Sequence, residues 1–212
     1  MKKRQFGLAL IVAAGLTASF CRAEERPALV NQDNFYIGIS LPLDFAYGPA
    51  LNGDWAGGFG MTLGYERPIL PRFSLYLEGF LTTMDLNENL AAEADPNQVP
   101  CVFGGGQLGV KFLPWTGQLM VPYFATGLGL ADVKIQDMTQ FDGPADQVEK
   151  VPGLTNVLHS MWTFRAGLDI PAAKDLTTFL ELDFLILYQK ELWGNSNDVG
   201  MTAFASGLRF PI

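Results

Sequence analysis

The stretch LHSMWTFRAGLDI-PAAKDL-TTFLELDFLILYQ, residues 158–189, decides how this chain folds. In its first arm the even positions are Leu158, Ser160, Trp162, Phe164, Ala166, Leu168 and Ile170, and the odd ones are His159, Met161, Thr163, Arg165, Gly167 and Asp169. In its second arm Thr178, Leu180, Leu182, Phe184, Ile186 and Tyr188 alternate with a set that includes Glu181, Asp183 and Gln189. Successive side chains of a β-strand point to opposite faces. Both arms therefore read as strands of one hairpin, with an apolar, charge-free face and a face carrying Arg165, Asp169, Glu181 and Asp183. A turn centred on Ala173 sets Arg165 opposite Glu181, where an ion pair is expected.

The same alternation recurs along the chain. Residues 35–47 put Phe35, Ile37, Ile39, Leu41, Leu43 and Phe45 against Tyr36, Gly38, Ser40, Pro42 and Asp44. Residues 55–66 put Trp55, Phe59, Met61, Leu63 and Tyr65 against Gly58, Gly60, Thr62, Gly64 and Glu66. Residues 73–84 oppose Phe73, Leu75, Leu77 and Leu81 to Tyr76, Glu78, Phe80 and Thr82. Residues 102–113, 120–132 and 199–210 repeat the pattern, which predicts eight strands in all. Short connections, 67–72, 114–118 and 171–176, alternate with longer ones, and 85–101 and 133–157 read as long polar loops. Short turns at one end and longer loops at the other, with an even strand number, are the pattern of a bacterial transmembrane barrel.

A soluble eight-stranded barrel hides its apolar face and wets its charged one. Here the charged face is also the small one, since Gly38, Gly58, Gly60, Gly64, Gly105, Gly109, Gly127, Gly129 and Gly207 fall on it. The interior of an eight-stranded barrel is narrow and takes small residues between large ones, so the small, charged face looks inward and the bulky apolar face meets lipid. Closure pairs every backbone group, as lipid demands. Tyr65, Phe73, Phe112 and Trp115 near the short turns, and Tyr47, Trp55 and Tyr188 near the loops, read as two interfacial girdles. The predicted fold is all-β: a closed antiparallel eight-stranded transmembrane β-barrel spanning 24–212, preceded by a cleaved signal peptide, 1–23.

That signal is read from Lys2, Lys3 and Arg4, the apolar run after Phe6 and the Cys21-Arg22-Ala23 cleavage site. Lipidation of Cys21 is the alternative. Its removal takes four basic residues and leaves 10 Lys+Arg against 22 Asp+Glu. So acidic a chain lacks the clustered cations that nucleic acid requires. Cys101 is then alone, which excludes a disulfide framework.

The signal, the eight strands, the short turns and the closing strand ASGLRFPI together resemble the small outer-membrane barrels of the OmpA, OmpX and OmpW type. The resemblance implies a bacterial outer-membrane location, outer-membrane lipids and the barrel assembly machinery as partners, and a monomer. The terminal aromatic of that family is replaced by Pro211-Ile212, although Phe210 and Ile212 keep the outward parity.

The lumen holds the candidate functional residues. Glu66, Glu78, Lys111, Arg165, Asp169, Glu181, Asp183 and Arg209 face inward, in the half with the short turns or near mid-barrel. Buried charges must be paired, so these eight read as a plug that fills and registers the barrel, with a gated ion path as the sharper alternative. Nearer the loops Phe80, Met84, Phe103, Met161, Leu185, Leu187 and Met201 face inward and outline an apolar pocket for a small hydrophobic molecule. The resemblance to OmpW-like proteins implies the same passage. His159 is the only histidine, and Ser160 beside it points to the opposite face, which leaves no nucleophile–base pair. The histidine–any residue–serine–asparagine pattern of outer-membrane deacylases is missing. Gly104-Gly105-Gly106 lacks the Lys-Ser/Thr of a phosphate loop. Asp85, Glu88, Glu93 and Asp95 match no EF-hand spacing. The expectation is a non-enzymatic structural or surface-contact barrel with a mostly plugged lumen and no cofactor. Its rivals are a conduit for small hydrophobic compounds and a lipid-modifying enzyme.

Overall fold

The computed structural model describes residues 32–47, 55–86, 90–92, 101–115, 120–135, 138–141, 148–151, 154–173, 175–188 and 199–212. The strands are β1 (Asn34–Tyr47), β2 (Trp55–Leu70), β3 (Phe73–Leu86), β4 (Leu90–Ala92), β5 (Cys101–Phe112), β6 (Val121–Ile135), β7 (Met138–Phe141), β8 (Val148–Val151), β9 (Leu154–Ala173), β10 (Leu176–Tyr188) and β11 (Val199–Pro211). Eight of them close a barrel in the order β1-β11-β10-β9-β6-β5-β3-β2, every pairing antiparallel. The seam is the pairing of the first strand with the last, in which Phe35 faces Phe210 and Tyr36 faces Arg209. The backbone N–H of Ile212 extends it by donating to the Asp33 carbonyl at 2.9 Å.

Burial follows the period of two. Along β10 Phe179, Glu181, Leu185 and Leu187 are buried, while Leu182, Phe184 and Tyr188 are exposed. Around the wall Leu63, Leu77, Leu81, Leu108, Phe124, Leu128 and Phe164 all stand outside with a third or more of their surface open. A belt of this size would be a liability in water and is the expected surface in hydrocarbon. No helix among the described residues is long and apolar enough to cross a membrane. At the short-turn end Phe73 and Phe112 stack with centroids 5.0 Å apart, and Trp115 is exposed beside them. Tyr188 is exposed at the other end; the side chains of Tyr47 and Trp55 lie outside the described residues. So do the signal segment 1–23 and Cys21, and the side chains of Asp85, Glu88, Glu93 and Asp95.

Three details differ from the sequence expectation. The loops 85–101 and 133–157 are not without structure, because β4, β7 and β8 form a three-stranded antiparallel sheet between them. In the β9–β10 hairpin an irregularity between Leu176 and Thr177 shifts the pairing, so Arg165 faces Asp183 and Glu181 faces Gly167. A shift of two preserves the face of every side chain and changes only the partner. In β1 the pairing with β11 shifts by one between Pro42 and Asp44, a bulge at Leu43.

Candidate functional site in the barrel lumen

All eight lumen charges meet in one layer. Glu78 of β3 lies at its centre and accepts from both terminal nitrogens of Arg165, from Gln107 Nε2 at 2.7 Å and from the Tyr36 hydroxyl at 2.9 Å. Arg165 also faces Asp183 at 3.6 Å and Glu181 at 3.9 Å. The ion pair expected between Arg165 and Glu181 therefore exists, but it is a minor contact, and Glu181 is held instead by the Tyr123 hydroxyl at 2.7 Å. Below, Lys111 reaches Asp169 at 2.5 Å and Glu66 at 3.2 Å, and Arg209 reaches the same two carboxylates at 2.9 and 2.8 Å. Two cations sharing two carboxylates make a closed quartet whose charges cancel, while Arg165 answers three carboxylates.

Aromatic rings complete the layer, and they were not singled out from the sequence. Lys111 lies 4.2 Å from the Tyr123 ring centroid, and Arg209 lies 4.7 Å from that of Tyr36 and 4.6 Å from that of Phe179. A cation over a ring face in a desolvated site gains on the order of 2 kcal/mol. The glycines make room for these rings: a Cβ on Gly64 would overlap Tyr36, one on Gly109 or Gly127 would overlap Tyr76, and one on Gly167 would overlap Tyr123. Tyrosine at inward parity opposite glycine was the signal available in the sequence. A cavity between Tyr36, Tyr76, Tyr123 and the charges Glu66, Lys111, Arg165, Glu181 and Arg209 holds about 10 Å³, enough for roughly one water molecule.

Above the layer, Met84, Phe103, Met161, Leu185, Leu187 and Met201 are buried inside the barrel and Phe80 is half-buried. Cys101 joins them, wholly buried and opposite Met84. His159 is buried on the lumen face of β9, and Ser160 is exposed on the outer face, so the two do not meet. Gly104, Gly105 and Gly106 lie within β5, paired on both sides, with no free amide cradle. At the short-turn end Leu113, Val121 and Tyr123 form an apolar floor.

No protein-family model matches the sequence, and no curated protein is similar to it in sequence. Several solved structures are similar in shape. Neisserial surface protein A superposes with a TM-score of 0.58 at 8% identity, over 84% of this chain and 97% of that one. OprG of Pseudomonas aeruginosa follows with a TM-score of 0.48 at 9% identity, over 89% and 99%. The N-terminal β-barrel domain of OprF from the same organism gives 0.46 at 13% identity, over 85% and 98%. At such identities the likeness is one of fold, and it rests on the first of the three. The closed wall of eight strands, its apolar outer belt and this likeness in shape give the chain the fold of a small eight-stranded membrane β-barrel.

Proposed function

We propose that the chain is a structural barrel of the outer membrane, sealed by its lumen charges, which serves the cell through its surface and not through a pore. One observation carries this reading: an ion-pair layer joins β2, β3, β5, β9, β10 and β11, and the cavity lined by its Glu66, Lys111, Arg165, Glu181 and Arg209 holds only about 10 Å³. A hydrated ion does not fit such a gap. Opening one would separate desolvated charges, which costs about 3–5 kcal/mol for each buried pair broken. The rival reading, a conduit for small hydrophobic compounds, draws on the apolar upper lumen from Phe80 to Met201 and would still have to bypass this layer.

The test is flux. Liposomes carrying the purified chain, shown to be folded by heat-shifted gel mobility, are expected to take up ions and a small hydrophobic dye no faster than empty liposomes. Saturable dye uptake that Leu187→Arg abolishes would replace this reading with the conduit.

A further inference from the structure

The upper lumen holds a second concentration of chemistry, unlike the first. Met84 and Cys101 face each other across β3 and β5. His159 and Met161 follow two residues apart on the lumen face of β9, paired with the small residues Ala131 and Gly129 of β6. Met201 comes from β11, four strands around the ring from β5. All five side chains are more than nine-tenths buried. In so narrow a barrel, side chains from opposite walls meet near the axis.

Apolar filling would be served as well by leucine as by methionine, so the methionines alone indicate nothing. His159 is different. Its ring interacts with the backbone carbonyl of Tyr188, while Nε2 is buried with no hydrogen-bond partner. A buried ring nitrogen with no partner is costly, and no hydrogen-bonding group among the described residues answers it. An imidazole oriented by a carbonyl, with its other nitrogen free, is the arrangement of a metal-ligating histidine.

We infer that the upper lumen binds a soft monovalent d¹⁰ cation, copper(I) or silver(I), through His159 Nε2 and the thioethers of Met84, Met161 and Met201. Thioether sulfur selects such ions over hard ones. The four donors are neutral and the site is dry, which favours a single positive charge over a divalent one, since desolvation rises steeply with charge. Among the described residues no group of three histidines, cysteines or carboxylates is placed to hold a harder metal. Binding changes no oxidation state: four lone pairs fill empty valence orbitals of the cation, and its water ligands leave. Cys101 stands beside the site and is not required as a donor.

The experiment is a silver(I) titration of the full chain purified from membranes in detergent, in the parent and in Cys101→Ser, with bound metal counted by mass spectrometry. One equivalent per barrel is expected in both. Met161→Leu and His159→Gln, each checked for heat-shifted mobility, are expected to weaken binding at least tenfold, and X-ray absorption should show sulfur and nitrogen neighbours. Should either variant fail to fold, Met84→Leu and Met201→Leu provide the same reading at the other walls. Absence of silver in the parent, loss of it in Cys101→Ser, or undiminished binding in the methionine and histidine variants would each overturn the assignment.

Discussion

Arg165 makes two bonds to Glu78, a residue 87 positions away in sequence, and it is the only buried cation within reach of Glu181 and Asp183 among the described residues. Removing it strands three carboxylates in a dry lumen. Arg165→Met is expected to destabilise the barrel by about 3–5 kcal/mol, measured as urea unfolding in lipid vesicles. Combining it with Glu78→Gln should cost clearly less than the sum of the two single changes, because each already breaks the same pair; additive losses would show that the layer is not coupled. Parity puts the eight charged side chains of this layer on one face of their strands. Apart from Arg165 with Glu181 within one hairpin, it does not name the partners, because an ion pair across a lumen depends on how far each strand is staggered around the ring, and a single hairpin carries no such information. The Tyr36 and Tyr76 rings share that face in the sequence but read as ordinary strand residues, since aromatics favour strands wherever they stand.

The strand is the scale at which glycine matters. Tyr76 lies over the backbone of two neighbouring strands at Gly109 and Gly127, so a β-branched side chain at either position must displace the ring. Gly109→Val should lower stability by about 1–3 kcal/mol through overpacking, although valine is the better strand former; a gain in the unfolding midpoint would refute the close approach. On the opposite face of β10, Leu182 stands in the outer belt near the middle of its strand. Leu182→Arg should cost about 2–4 kcal/mol in vesicles and much less in a detergent that can deform around the charge. The long strands were legible because twelve or more residues sustain the alternation, and their limits agree with the sequence reading to within a few positions. The strands β4, β7 and β8, of 3, 4 and 4 residues, are too short to show a period and sit in polar sequence, so they read as loop. The slip at Leu43 was hidden for a related reason: a bulge changes the backbone without leaving a mark in composition.

At the scale of the whole molecule everything turns on orientation. A barrel with its apolar face inward would be a soluble carrier; with that face outward it is a membrane protein. Charge-free parity on one face and glycines with charges on the other were enough to choose, since only a narrow lumen needs small residues and only paired groups can stay buried there. Function was less legible, because sealing depends on how completely side chains of eight strands fill a common space, and the sequence gives only the faces they occupy. The most direct test of the account is spin-label accessibility along β10. Single cysteines are placed at positions 180 to 187 in a Cys101→Ser background and labelled in vesicles. The account predicts a period of two, with labels at Leu180, Leu182, Phe184 and Ile186 open to oxygen dissolved in the bilayer and closed to a water-soluble nickel chelate, and labels at the positions between them closed to both. Chelate access at the even positions would put water where lipid should be, and would contradict the orientation on which the sealed lumen and its chemistry depend.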